Sequence, residues 1–154
     1  AHRQWREHGW VHAADGMAMV TSVMRVQQIL LKRVDAALRP HGLTFARYEI
    51  LMLLSFTRSG SMPMKRVGSR LQVHPTSVTS AVDRLEAQHL VERRSHPSDR
   101  RAVLAAITDK GRTTAEQATV AMNRDVFEQP GLTPREMKDL TRILRTMRAS
   151  AGDF

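Results

Sequence analysis

The stretch HPTSVTSAVDRLEAQHLVERRSHPSDRRAVLAAIT, His74 to Thr108, constrains the fold most. Pro75 sits where a helix accepts proline, at its first position, because the missing N–H has no partner there anyway. From Pro75 onward Val78, Ala81, Val82 and Leu85 fall on one face at helical spacing. Thr76, Thr79, Ser80, Asp83 and Arg84 fall on the other, with Ser77 at the margin. Two short apolar segments follow, Leu90–Arg94 and Ala102–Ile107, which read as strands. Their link, SHPSDRR, is too polar to bury. A helix with hydroxyls on its free face, followed by a basic hairpin, offers small polar groups for base edges and arginines for phosphates.

The segment before it completes the pattern. Lys65 to Leu71 reads as a short helix with Val67 and Leu71 inward, and Gln72-Val73-His74 is a tight connection. Two short helices joined by a few residues, the second polar outward, form a helix-turn-helix. Upstream, residues 15–39 carry Val20, Val23, Val26, Leu30, Val34 and Leu38 at a spacing of 3–4, widened by Met19 and Leu31. Pro40 and Gly42 end that helix. The next starts after Thr44, a plausible N-cap, with Arg47 where a glutamate would complete a capping box. Its apolar set (Phe45, Tyr48, Ile50, Leu51, Leu53, Leu54, Phe56) covers much of the circumference, as in a buried central helix. Ser59-Gly60-Ser61 closes it.

Downstream, Thr108-Asp109-Lys110-Gly111 starts a long helix to about Gln129, and Pro130-Gly131 breaks it. Thr133-Pro134-x-Glu136 is a complete helix start signal. The last helix carries Met137, Leu140, Ile143, Leu144 and Met147 in a stripe.

Charge agrees with this reading. Lys and Arg number 24 against 15 Asp and Glu, a net +9 over 154 residues, which favours polyanions. Residues 58–112 hold 11 basic and 5 acidic side chains, so most of the excess lies in the helix-turn-helix and hairpin. Arginine dominates, and its fork fits phosphate and guanine better than lysine does. Cysteine is absent, which excludes thiol switches and thiolate metal sites and suits a reducing cytoplasm. No apolar run is long enough to span a bilayer, and the polar, aromatic start AHRQWREHGW lacks a signal pattern. A membrane role is not expected.

Catalysis is not expected either. Ser95, His96, Ser98 and Asp99 resemble triad members, but neighbours in an exposed turn have no scaffold or oxyanion hole. His8 and His12 beside Glu7 have a generic metal spacing, for which a polar N-terminal segment is the better reading. No glycine-rich phosphate loop exists, and no cofactor is expected.

The chain resembles the MarR family of winged-helix transcription regulators over roughly residues 15–150. GLTFARYEIL (42–51), VHPTSVTSAVDRLEAQHLVERR (73–94) and SDRRAVLAAITDKG (98–111) carry the resemblance, including the wing signature Asp99-Arg100-Arg101. His74 replaces the family's usual serine-like cap, and His89 replaces a common glycine before the first wing strand. The resemblance implies a mainly α fold with a small β-hairpin wing and an intertwined homodimer. Within one domain, 1–154, helices at 15–39 and 113–150 would dimerise and 43–112 would form the DNA-binding lobe.

The implied function is a cytoplasmic, sequence-specific double-stranded-DNA-binding regulator, a repressor relieved by a small aromatic or anionic effector. Thr76, Ser77, Thr79 and Ser80 would meet base edges or phosphates, and Arg84 phosphate or guanine. Arg100 and Arg101 would reach the minor groove, with Asp99 orienting one of them. Between the dimer region and the lobe, Trp5, Trp10, His12, Met19, Tyr48 and Met52 are candidates for the effector pocket. Trp5 and Trp10 also fit a latch of the N-terminal arm onto the partner subunit, because aromatic anchors are common at interfaces. The alternative function is a winged-helix module that docks the same basic face on an acidic protein.

Overall fold

A computed structural model describes residues 1–72, 74–99 and 102–153. The chain runs α1 (His2–Glu7), α2 (Val11–Leu38), α3 (Phe45–Ser55), β1 (Ser61–Pro63), α4 (Met64–Leu71), α5 (Pro75–Ala87), β2 (Val91–Ser95), β3 (Val103–Ile107), α6 (Asp109–Met122) and α7 (Pro134–Ser150). A single 3₁₀ turn, Arg39–His41, ends α2 with Pro40 inside it, and a π turn, Asn123–Phe127, ends α6.

The expected helices are present, with three differences. The first long helix begins at Val11 rather than at 15, and the N-terminal segment forms its own helix, α1. Only six residues long, α1 has no periodic stripe to betray it; a Trp10 N–H to Trp5 carbonyl bond of 3.1 Å and a His2–Asp15 pair of 2.7 Å hold it to α2. The hairpin has a third strand. β1 pairs antiparallel with β3 through Ser61↔Ala106 and Pro63↔Leu104, giving the order β1-β3-β2. Three residues ending in proline carry no alternation signal, so tertiary pairing alone makes that strand. Phe56 is the third difference: it stands beyond the last turn of α3 and is 79% exposed, outside the core expected to contain it.

One core joins the C-terminal end of α2 to the helix-turn-helix and sheet. Leu38, Ile50, Leu51, Leu54, Val67, Val82, Leu85, Val91 and Met122 are fully buried at its centre. α3 lies in the middle, as its wide apolar circumference requires. Burying several large aliphatics of this kind stabilises by roughly 1.5–3 kcal/mol each. That anchors α5 firmly while its opposite face remains free.

Arg33 fixes the far end of α6. Its Nη2 donates to the carbonyls of Asp125 at 2.6 Å and Gln129 at 2.7 Å, partnering acceptors that the widened turn leaves over. α7 then starts at the Thr133–Glu136 capping box, complete in both directions. No residue of α7 is buried within the chain.

Candidate nucleic-acid interface

The turn between α4 and α5 is built from local chemistry. Gln72 takes a left-handed conformation, φ +54°, which reverses the chain. His74 then caps α5: its Nδ1 accepts the Thr76 N–H at 3.3 Å, and Pro75 occupies the first helical position. Imidazole thus does what a serine hydroxyl does elsewhere. The other end of α5 closes in a Schellman turn. Leu90 N–H reaches the Leu85 carbonyl at 2.9 Å and His89 N–H the Glu86 carbonyl at 2.8 Å. His89, at φ +60°, stands at the left-handed position.

Two side chains from the start of α6 finish this cap. Thr108 Oγ1 donates to the His89 carbonyl at 2.8 Å, and Lys110 Nζ donates to the Gln88 carbonyl at 2.9 Å. Thr108 also accepts the Gly111 N–H at 2.9 Å. A Cβ on Gly111 would lie 2.1 Å from the Leu90 carbonyl oxygen, so only glycine allows this approach.

On α5, Val78, Val82 and Leu85 are buried, while Thr76, Ser77, Thr79, Ser80, Asp83 and Arg84 are exposed. The exposed side divides in two. Thr76, Ser77, Ser80 and Arg84 line an open cleft of about 590 Å³ shared with Thr44 and Arg47 of α3. Thr79 faces α4 and the wing instead: it lines a groove with Lys65 and Gln72, and a second with Arg93 and Asp99. Its hydroxyl donates to the Pro75 carbonyl at 3.1 Å, so only its lone pairs remain for a ligand. Helical periodicity puts Thr76, Thr79 and Ser80 on one face with Ser77 at its margin, and does not separate Thr79 from the others.

The sequence reading missed Arg93. Its guanidinium on β2 bridges Asp83 and Glu86 of α5, and its own N–H donates to Glu86 Oε1 at 3.1 Å. The hydrogen bond to Asp83, reinforced by Glu86, pushes its already high pKa higher against a smaller opposing effect of burial. Both carboxylates of α5 are therefore paired with one guanidinium, which offsets half of their charge, and the wing is tied to that helix. The signal lay in the Asp83-x-x-Glu86 spacing, one helical turn, but only the hairpin register brings Arg93 above it. In the wing turn, His96 N–H bonds the Ala102 carbonyl at 3.1 Å and Ala102 N–H the Asp99 carbonyl at 3.0 Å. Arg100 and Arg101 lie outside the described residues.

The effector-pocket candidates separate into two places. Tyr48 is buried and its hydroxyl meets Thr119 Oγ1 at 3.0 Å, and Thr119 lies 3.3 Å from the Met52 sulfur. Those two candidates thus meet on α6. Trp10 packs on Trp5 with centroids 4.8 Å apart and under His8 at 5.6 Å. It is half exposed, as are His12 and Met19 at the surface of α2. His8 donates to the Gln4 carbonyl at 2.8 Å and Glu7 pairs with Arg3, and no cluster of three or more metal-ligating side chains forms among the described residues.

The sequence pattern of the MarR family matches residues 43–103, the stretch from the start of α3 to the wing. The HTH-type transcriptional regulator MhqR of Bacillus subtilis is 35% identical over 139 residues, covering 84% of this chain and 89% of that one. This chain belongs to the MarR family. Among solved structures, Sco5413 of Streptomyces coelicolor, a MarR family transcriptional regulator, is 49% identical and superposes with a TM-score of 0.82 over 91% of this chain and 97% of that chain. Sco3205 from the same organism, solved in complex with DNA, is 25% identical with a TM-score of 0.79, covering 89% and 88%. Within the MarR fold, α4 and α5 are the helix-turn-helix and β2–β3 the wing. No helix among the described residues is long and apolar enough to cross a membrane.

Proposed function

We propose that this MarR-family chain is a cytoplasmic, homodimeric regulator that binds a pseudo-palindromic operator in duplex DNA and represses until a small effector releases it. The observation that carries the reading is the exposed side of α5, hydroxyl-rich and arginine-bearing, with its carboxylates Asp83 and Glu86 paired to Arg93. Placed in a major groove, Thr76, Ser77, Thr79 and Ser80 meet base edges or phosphates, and Arg84 phosphate or guanine. The wing follows the adjacent minor groove with Arg100 and Arg101, aided by Asp99, where negative potential attracts guanidinium.

The dimer reading is supported by what one chain leaves uncovered. Val20, Val23, Ile29 and Leu30 of α2, and Leu140, Ile143 and Met147 of α7, are exposed along helical stripes. The effector reading rests on Tyr48 and Met52 beside Thr119, with Trp10, His12 and Met19 as further candidates and Trp5 and Trp10 as a latch.

Selection of bound sequences from random duplexes tests the main reading. The expected result is two inverted half-sites about 10 base pairs apart, centre to centre, with steep salt dependence. A single asymmetric half-site, or no duplex binding, overturns it and favours docking on an acidic protein. Aromatic acids titrated against the protein–operator complex test the effector. Release supports relief of repression, whereas tight binding to free protein with unchanged operator affinity removes it.

A further inference from the structure

The cleft between α3 and α5 holds a feature that the recognition helix alone does not explain. Arg47, on α3, is half-buried and prearranged: its Nε donates to Thr44 Oγ1 at 3.2 Å and its Nη1 to Gln88 Oε1 at 3.4 Å. Gln88 is held in turn by its Nε2 bond to the Gly42 carbonyl at 3.1 Å. Arg47 and Thr44 therefore line the cleft from the start of α3, and Arg84, Thr76, Ser77 and Ser80 line it from α5. No carboxylate is among the lining residues. The nearest carboxylates along α5, Asp83 and Glu86, are bound by Arg93.

Two arginines and four hydroxyl side chains lining one cleft suit a tetrahedral oxyanion. The cleft is open to solvent, so it does not enclose a small molecule; the anion must be anchored by contacts elsewhere. A polymer supplies that anchoring. We propose that this cleft grips one phosphodiester of the DNA strand bordering the groove that α5 enters, with Arg47 as a DNA-contacting residue outside the recognition helix. The proposal rests on the duplex-binding reading above. It adds a contact that fixes the angle of α5 in the groove and carries no base information.

The test measures duplex affinity of the full chain against salt for wild type, Arg47→Ala and Arg47→Lys. A second arm uses wild type and Arg47→Ala on duplexes with one neutral methylphosphonate placed at successive positions. Arg47→Ala is expected to lose about tenfold in affinity on cognate and non-cognate duplexes alike. The log–log salt slope should fall by about 0.9 per half-site, and Arg47→Lys should keep most of it. One methylphosphonate position should weaken wild type and leave Arg47→Ala unaffected. If Arg47→Ala melts early, Arg47→Lys and the methylphosphonate scan of wild type still decide. Unchanged slope in Arg47→Ala, a loss confined to one operator variant, or no sensitive phosphate overturns the proposal while leaving duplex binding intact. Wild-type failure on every duplex overturns the underlying reading and the proposal with it. Inorganic phosphate and pyrophosphate titrated into labelled protein separate a free-anion pocket: saturable shifts at the Arg47 and Arg84 side-chain N–H groups, with the duplex slope unaffected by Arg47→Ala, would assign the site to a small anion instead.

Discussion

His89 is a histidine in a backbone conformation that suits glycine. At φ +60° its Cβ crowds the following carbonyl, a cost of about 1 kcal/mol. His89→Gly should therefore stabilise by about 0.5–1 kcal/mol, read as a shift in urea midpoint at fixed protein concentration. A loss of stability would show that the imidazole, not the backbone, holds the turn. Arg93 makes the opposite case, a side chain whose role depends on its partners. Arg93→Ala leaves Asp83 and Glu86 unpaired beside the proposed DNA-contacting side of α5 and releases the wing from that helix. Duplex affinity should drop about tenfold at low salt, and Asp83→Asn with Glu86→Gln should restore much of it by removing the repulsion. Equal affinity in Arg93→Ala and wild type would mean the bridge is ornamental. Within α5, Thr79→Ala and Ser80→Ala should change the preference between operator variants, at roughly 1–3 kcal/mol per lost base contact. Arg84→Ala should lower affinity evenly if it holds phosphate. Uniform losses for all three would move specificity to the wing or to DNA shape.

Between elements, closeness of approach decides. α6 meets the turn between α5 and β2 at Gly111, where an added Cβ would also come within 2.8 Å of Ile107 Cγ1. One obstacle is backbone of the turn that caps α5 and the other a buried side chain of β3, and neither yields easily, so Gly111→Ala should cost about 2–3 kcal/mol. Gly16, in the second turn of α2, has nothing within 4 Å of a built Cβ. Gly16→Ala should stabilise by about 0.5–1 kcal/mol, since alanine loses less backbone entropy in a helix. Chemical denaturation of the two variants side by side separates packing from propensity. If both shift in the same direction, the glycine at 111 is conformational rather than steric.

For the whole molecule, the uncovered stripe of α7 predicts the assembly. Ile143 is 48% exposed in the single chain, on a helix with no buried residue. Placing a charge there, Ile143→Glu, should produce monomers in sedimentation while the winged lobe keeps its helicity, because its core draws no residue from α7. Duplex affinity should then fall by 10²-fold or more, roughly the avidity that two linked half-site contacts provide. A variant that remains dimeric would place the subunit contact elsewhere.

Sequence determined what local chemistry determines. The proline-opened α5, the Thr133 capping box, the stop at Pro40 and the apolar stripe of α3 are each written in side chains that act within one or two turns. Their spacing also carried the helix-turn-helix, the hairpin and the exposure of the α5 hydroxyls. What tertiary structure decided depends on residues distant in the chain. β1 exists because β3 offers it an edge, and the division of the α5 hydroxyls follows from α3 on one flank and the wing on the other. Arg93 reaches Asp83 and Glu86 only once β2 folds back over the helix. Arg47 joined the cleft for the same reason: Thr44 is its neighbour by helix geometry, but Arg84 and Gln88 come from α5 and its C-cap, roughly forty residues away. A periodicity assigns a residue to a face; only packing says what stands opposite that face.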